Sequence, residues 1–251
     1  MVSRILVLAY GLGAYVMFLC VTLYAVGFVG GFITPTRLDG PLEGSIVTAL
    51  FTDISLLLLF ALQHSVMARP WFKRWWTQFI PQPIERSTYV IFTNVVMIAW
   101  FAWWKPLGVT LWNFDSTLGQ FITYTLFAVG WLTVLFSTYL INHFDLFGLR
   151  QVWLYFRGKP YTTLRFVTPG PYRFVRHPLY IGWMIAFWAT PYMTSGHFVF
   201  ALVLTVYMVA AAMIEERDLV AYFGDDYQDY QTKVGMFVPK LVAQRITIGS
   251  N

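Results

Sequence analysis

The sequence predicts an all-α fold: a polytopic membrane helix bundle of five to six transmembrane helices, with the polar residues gathered at one face. Three observations carry this. Of 251 residues, 58% are hydrophobic and only 12% are charged, about half the charge of an ordinary soluble domain. The apolar residues come in blocks of bilayer length. The basic residues fall on alternate connections between those blocks.

The blocks run Ile5–Phe32, Ile46–Met67, Thr88–Trp104, Gln120–Ile141, Leu179–Thr194 and Phe198–Ile214. Most approach the roughly 20 residues that a spanning helix needs. The first is too long for a cleavable signal and leads into more membrane sequence, so it reads as a retained helix. Its glycines, Gly11 and Gly27 among them, suit close helix packing; "GLG" has no preceding strand and is no nucleotide loop. The fifth block is short and contains Pro191. It is either a full span or one arm of a hairpin with the sixth, and both alternatives return the chain to the same side.

Charge supplies the orientation. Six crossings place the N-terminus, the second and fourth connections and the C-terminus on one side. That side holds Arg4, Arg69, Lys73, Arg74, Arg86, Arg150, Arg157, Lys159, Arg165, Arg173, Arg176, Arg217, Lys233, Lys240 and Arg245; only Arg37 and Lys105 lie opposite. Excess Lys and Arg marks the cytoplasmic side, which predicts a multi-pass protein of the cell (inner) membrane with both termini cytoplasmic. The net charge of +5 is then an orientation signal beside a lipid bilayer, and no nucleic-acid or protein partner is implied. Cys20, the only cysteine, lies mid-span as a small core hydrophobe, with no disulfide framework and no metal motif.

Ionisable residues sort to that same face. His64 closes block two, Glu85 and Arg86 open block three, and Asn142, His143 and Asp145 follow block four. Arg176 and His177 open block five, and Glu215 and Glu216 close block six. Such groups near lipid are costly, so each is a functional candidate. Each also has a structural alternative: His64 as a helix–helix hydrogen bond, Glu85 with Arg86 as an ion pair, Arg150 as a solvated or headgroup-facing charge.

The stretch "GPYRFVRHPLYIGW" reads as a helix start. His177 takes the N-cap, Pro178 the first helical position and Tyr180 the first turn. Free backbone N–H groups there, with Arg173 and Arg176, make a seat for an anion such as a carboxylate. Gly182 leaves one side of the turn bare for close approach. Glu215 and Glu216, at a helix C-terminus, oppose the helix dipole and call for a cation. A ligand with a carboxylate and an ammonium, an amino-acid headgroup, would bridge the two ends.

At these residues a resemblance enters. Gly170-Pro171-Tyr172, "RHPLY" at 176–180, "EE" at 215–216 and the following "FGDDYQDYQTKVGMFVPKL" resemble the C-terminal half of the membrane methyltransferases related to isoprenylcysteine carboxyl methyltransferase. "LQHSVMARPWFKRWW", "PIERSTYV" and "NHFDLFGLRQVWLYFRGKPY" resemble a narrower group, the bacterial methanethiol S-methyltransferases, and more distantly the NnrU-like membrane proteins. The resemblance implies one integral membrane domain over 1–251, with 1–142 as transmembrane bundle and 143–251 as cofactor-binding half. It implies S-adenosyl-L-methionine as cofactor, held by Tyr172, Arg176, His177, Pro178, Tyr180, Glu215 and Glu216, with Glu215 as the direct ligand and Glu216 as support. It implies methyl transfer to a small-molecule thiol, methanethiol to dimethyl sulfide.

In-line transfer between two sulfurs needs alignment and no metal, so no metal site is expected. The thiol must still lose a proton, since the thiolate is the nucleophile. If His177 is engaged by cofactor, the catalytic candidates are His64, His143 and Asp145, with Asp145 able to orient a nearby imidazole; alternatively "NHFD" only terminates its helix. Two other functions stay open: a methyltransferase of the same superfamily acting on a prenylcysteine carboxylate or lipid amine, and a non-enzymatic protein holding haem between His64 and His143.

Overall fold

The computed structural model describes residues 2–240; Arg245 and Leu241, the last residue of the C-terminal motif, lie outside the described residues. The fold is an all-α membrane helix bundle. The helices are α1 (Val2–Gly30), α2 (Ile46–Ala68), α3 (Pro70–Trp76), α4 (Glu85–Trp103), α5 (Thr117–Ile141), α6 (His143–Leu146), α7 (Leu149–Phe156), α8 (Pro178–Trp188), α9 (Ser195–Phe223) and α10 (Asp225–Lys233). Four of them, α1, α2, α5 and α9, are long and apolar enough to cross a membrane. The third block forms α4, whose 19 residues begin on Glu85 and Arg86.

Block five takes the full-span alternative, but only its first part is helix. Only Pro178–Trp188 is helical, and 11 residues rise about 16 Å, half a bilayer core. The chain then leaves the helix before Pro191 and ends in a strand, β2 (Tyr192–Thr194), antiparallel to β1 (Thr110–Asn113) from the α4–α5 connection. The first end of this segment bonds Glu216, 39 residues away. Its last residue, Thr194, bonds Asp39 in the α1–α2 connection. It therefore passes from one end of the bundle to the other, half as helix and half extended. The extended half keeps its backbone satisfied inside the protein, as lipid-depth chain must: Pro191 O accepts from Phe114 N at 2.9 Å, and Thr190 O from Trp112 Nε1 at 3.1 Å.

The main apolar cluster links the two halves of the chain. It runs from Val21, Phe28 and Leu57 through Trp100, Phe101 and Phe127 to Phe187, Phe200 and Met208. The remaining apolar side chains, such as Leu23, Phe51, Phe121 and Val206, point outward, as they must when the solvent is hydrocarbon. Cys20 is among the exposed residues and not in the core. The predicted close packing of α1 holds at Gly11, where a Cβ would come within 2.5 Å of Val152, and finds nothing to pack against at Gly13.

The tightest crossing is between α5 and α8. A Cβ at Gly130 would lie 2.6 Å from Ala186 N, and one at Gly182 would lie 2.9 Å from Gly130 O and from Val134 N. This corrects the reading of Gly182. Its bare side is filled by the backbone of α5 and is not open to a ligand.

Candidate active site

The cofactor candidates converge where α8 begins and α9 nears its end. His177 is the N-cap of α8, Pro178 occupies the first position, and no side chain caps the turn. A strap behind it fixes the approach: Arg176 N donates to Gly235 O at 2.9 Å and His177 N to Met236 O at 3.1 Å. The C-terminal motif thus backs the "RHPLY" motif directly.

The two adjacent glutamates have opposite situations. Glu216 is saturated. Arg176 grips it with Nε at 2.6 Å and Nη2 at 3.0 Å, His177 Nε2 lies at 3.1 Å, and Gln231 Nε2 donates at 2.9 Å. Its side chain is 8% exposed and that of Arg176 is 9%. The remaining Arg176 nitrogen donates to the carbonyls of Val234 and Gln231. Glu215 is open. Its side chain is 46% exposed, it accepts one bond, from the Tyr180 hydroxyl at 2.9 Å, and among the described residues its other oxygen has no hydrogen-bond partner. His177 Nδ1 faces it at 3.9 Å. Tyr172, in the 3-10 turn Gly170–Arg173, has a hydroxyl held above the usual phenol range by burial and then by the charge of Glu215. Its carbonyl is held by Tyr230 OH.

This changes the expected anion seat. Arg176 lies in the cluster but all its donors turn to Glu216 and two carbonyls, so it orders the site and offers no free charge to a ligand. Arg173 is exposed. What remains open is the uncapped start of α8 and the free oxygen of Glu215, one donor end and one acceptor end. That pair fits the carboxylate and ammonium of an amino-acid headgroup.

The catalytic candidates part company. His143 is 3% exposed. Thr138 donates its hydroxyl to Leu135 O, so its oxygen accepts from His143 Nδ1 at 2.8 Å; Nε2 then accepts from Tyr15 OH at 2.8 Å. Both nitrogens are used, the ring stacks on Tyr139 at 4.3 Å, and burial lowers its pKa. Asp145 does not orient it. Asp145 accepts from Arg150 at 2.9 Å and from Tyr161 at 3.2 Å, which also places Arg150 in an ion pair and not in solvent. No hydrogen bond among the described residues ties either one to the Glu215 cluster.

His64 is placed otherwise. It is half-buried, stacks on Phe60 at 5.1 Å, and meets Tyr89 OH at 2.8 Å from Nε2 and Thr93 Oγ1 at 3.4 Å from Nδ1. Its helix is pinned to α9 by Ser65 to Tyr207 at 3.0 Å and by Arg69 to Asp218 at 2.7 Å, and Asp218 is one turn beyond Glu215. Since His64 and His143 lie in separate hydrogen-bond sets, the haem arrangement finds no support. Arg86 lies over the Tyr89 ring at 5.5 Å, and among the described residues it forms no ion pair with Glu85.

Sequence reasoning put every polar cluster at one face, and the structure adds one at the other. His197 is fully buried with Nδ1 at 2.8 Å from Asp39 Oδ2 and Nε2 at 2.8 Å from Phe187 O. Thr194 donates to the second Asp39 oxygen at 2.6 Å. The only hint in sequence was a lone histidine at the head of an uncharged block. Among the described residues no group of His, Cys, Asp and Glu could hold a metal ion.

Residues 118–226 match the Phospholipid methyltransferase family model, and curated relatives over nearly the whole length show that the chain is a methyltransferase in a membrane helix bundle. The chain is 55% identical over 237 residues to Methanethiol S-methyltransferase of Crocosphaera subtropica, covering 94% of this chain and 93% of that one. It is 47% identical to the protein of that name from Mycobacterium tuberculosis, over 94% and 97%. Nurim of Sus scrofa is 28% identical over 70% of each. No solved structure matches. The chain belongs to the methanethiol S-methyltransferase family.

Proposed function

We propose that this protein methylates methanethiol to dimethyl sulfide with S-adenosyl-L-methionine, at the cytoplasmic end of a bundle in the cell's inner membrane. The names of its relatives support the acceptor. The observation that carries the site assignment is the inequality of the two glutamates: one saturated and structural, one open beside an uncapped helix start. Residues 1–142 frame the bundle and 143–251 carry the cofactor-binding half, though both halves share one core.

When bound, the cofactor supplies an electrophilic methyl group on a positive sulfonium. Glu215 would take its ammonium, with the Tyr180 hydroxyl holding the carboxylate side chain in place. The N–H groups opening α8, with His177 at the cap, would take its carboxylate, and Glu216 with Arg176 keeps that turn rigid. Tyr172, close enough to feel the charge of Glu215, would flank the bound headgroup. His64 Nε2 is our choice of base for the thiol proton, because its helix is hydrogen-bonded to α9 near Glu215; the thiol would displace the Tyr89 hydroxyl that Nε2 meets.

Calorimetry with the purified protein tests cofactor binding, and headspace detection of dimethyl sulfide tests the acceptor. The Phospholipid methyltransferase match favours one further acceptor, a lipid amine, so phosphatidylethanolamine is assayed beside methanethiol, with a prenylcysteine for the related carboxylate chemistry. Methylation of either in place of methanethiol would displace the reading. General-base assistance is worth about 10²–10⁴ in rate. His64→Ala is therefore expected to cut turnover by that order with cofactor affinity unchanged, and the deficit is expected to shrink as pH rises toward the thiol pKa.

A further inference from the structure

An apolar cavity lies deeper in the bundle, below the candidate site. Ala25 of α1, Met97 and Trp100 of α4, Trp131 of α5 and Trp183 and Phe187 of α8 line it, and no polar atom does. Its volume is about 20 Å³. Apolar cavities stay dry. The occupant that fits is a small, compact apolar molecule.

Two helix faces connect this cavity to the polar site. On α4, Tyr89, Thr93, Met97 and Trp100 follow at helical spacing and share one face. The first two touch His64, and the last two line the cavity. On α8, Tyr180, Trp183 and Phe187 form the matching face. Tyr180 holds Glu215, and the other two line the cavity. Phe60 joins the faces, lying 5.1 Å from His64 and 4.7 Å from Trp100. The cavity and the polar site are thus lined by neighbouring residues of the same two helix faces.

We propose that this cavity holds the acceptor before transfer and that its size sets which thiols are accepted. The inference rests on the thiol-methyltransferase reading above and specifies its acceptor as the shortest alkyl thiols, delivered from the hydrocarbon as neutral solutes. Aromatic rings and a thioether suit sulfur, whose contacts with aromatic edges are favourable. About one helical turn toward His64, the S–H proton passes to Nε2. The sulfur pair then forms the new S–CH3 bond, while the old bond's electron pair stays on the donor sulfur. Longer chains do not fit without moving packed aromatic side chains.

The test is to fill and to enlarge the cavity in the full-length protein. Ala25→Val, with Val29→Leu at a further lining residue as the gentler change, is expected to raise KM for methanethiol about tenfold or more. Calorimetric affinity for S-adenosyl-L-methionine and thermal stability should hold. Phe187→Leu is expected to raise ethanethiol turnover relative to methanethiol by about tenfold. Folded, cofactor-binding variants with wild-type KM and wild-type size preference would overturn the proposal. A wild-type protein that binds cofactor but leaves methanethiol unmethylated would overturn the thiol reading itself, before any variant is made.

Discussion

The two ends of the bundle each carry a buried histidine against a carboxylate, and only one of them is built like a site. At the far end, Asp39, Thr194 and His197 satisfy one another completely: Asp39 receives three donors, and both His197 nitrogens face acceptors. At the other end, Arg176, His177, Gln231 and Glu216 form an equally closed knot, but Glu215 stands next to it with an oxygen free. A polar cluster in an apolar protein is costly wherever it occurs. The one that faces a ligand is the one that leaves a bond unmade. The far-end cluster joins the α1–α2 connection to the start of α9 and asks for nothing more.

Four substitutions press on that contrast. The largest effect is expected at Glu216→Gln, which leaves buried Arg176 without its counter-charge. Removing one member of such a pair costs about 3–5 kcal/mol, and thermal unfolding in detergent should report it. Glu215→Gln should do the reverse: stability near wild type, but a loss of about 1.5–3 kcal/mol in cofactor binding as the charged contact goes, a tenfold to hundredfold rise in Kd by calorimetry. Equal behaviour of the two variants would erase the distinction. Asp39→Ala should cost about 1–3 kcal/mol of stability by stranding Thr194 and His197, with cofactor Kd unmoved; a changed Kd would mean that the ends are coupled. The smallest effect is a pH dependence. Burial depresses His143 from 6.5, so below that pH the unfolded chain binds more protons. Stability should be flat above about pH 6.5 and fall as pH drops below it, and His143→Ala should remove that slope while leaving turnover intact.

Much of the bundle was legible because the bilayer imposes lengths. The blocks that became α1, α2, α5 and α9 announce themselves by apolar runs of 17 to 28 residues, and His177-Pro178 marks the start of α8 by backbone chemistry alone. What failed to show was whatever depends on distant partners. The end of block five as a strand depends on β1, some 80 residues earlier. Asp39 and His197 are 158 positions apart, with no local pattern to join them. His143 and Asp145, two apart in sequence, look like a dyad and are not one, because each is satisfied by residues from other elements: Tyr15 and Thr138, Arg150 and Tyr161. The converse holds at Glu215 and Glu216. The sequence shows two equal carboxylates, and only the fold, which brings Arg176 and His177 from before α8 and Gln231 from α10 onto Glu216, makes them unequal.

The contact of Gly130 with Gly182 has a mechanical meaning. Where two helices meet backbone to backbone, neither can roll or slide without atoms overlapping, since no side chain lies between them to change rotamer. α8 is therefore an anvil, fixed to α5 at its middle and strapped by 235–236 at its start. Any closing over a bound ligand has to come from the pieces that face it: the end of α9, α10 and the 157–169 connection. A single added methyl at residue 182 would press on Gly130 and Val134 and displace Tyr180 two positions away. The smallest residue in the motif's helix thus governs the aim of the largest one in its first turn.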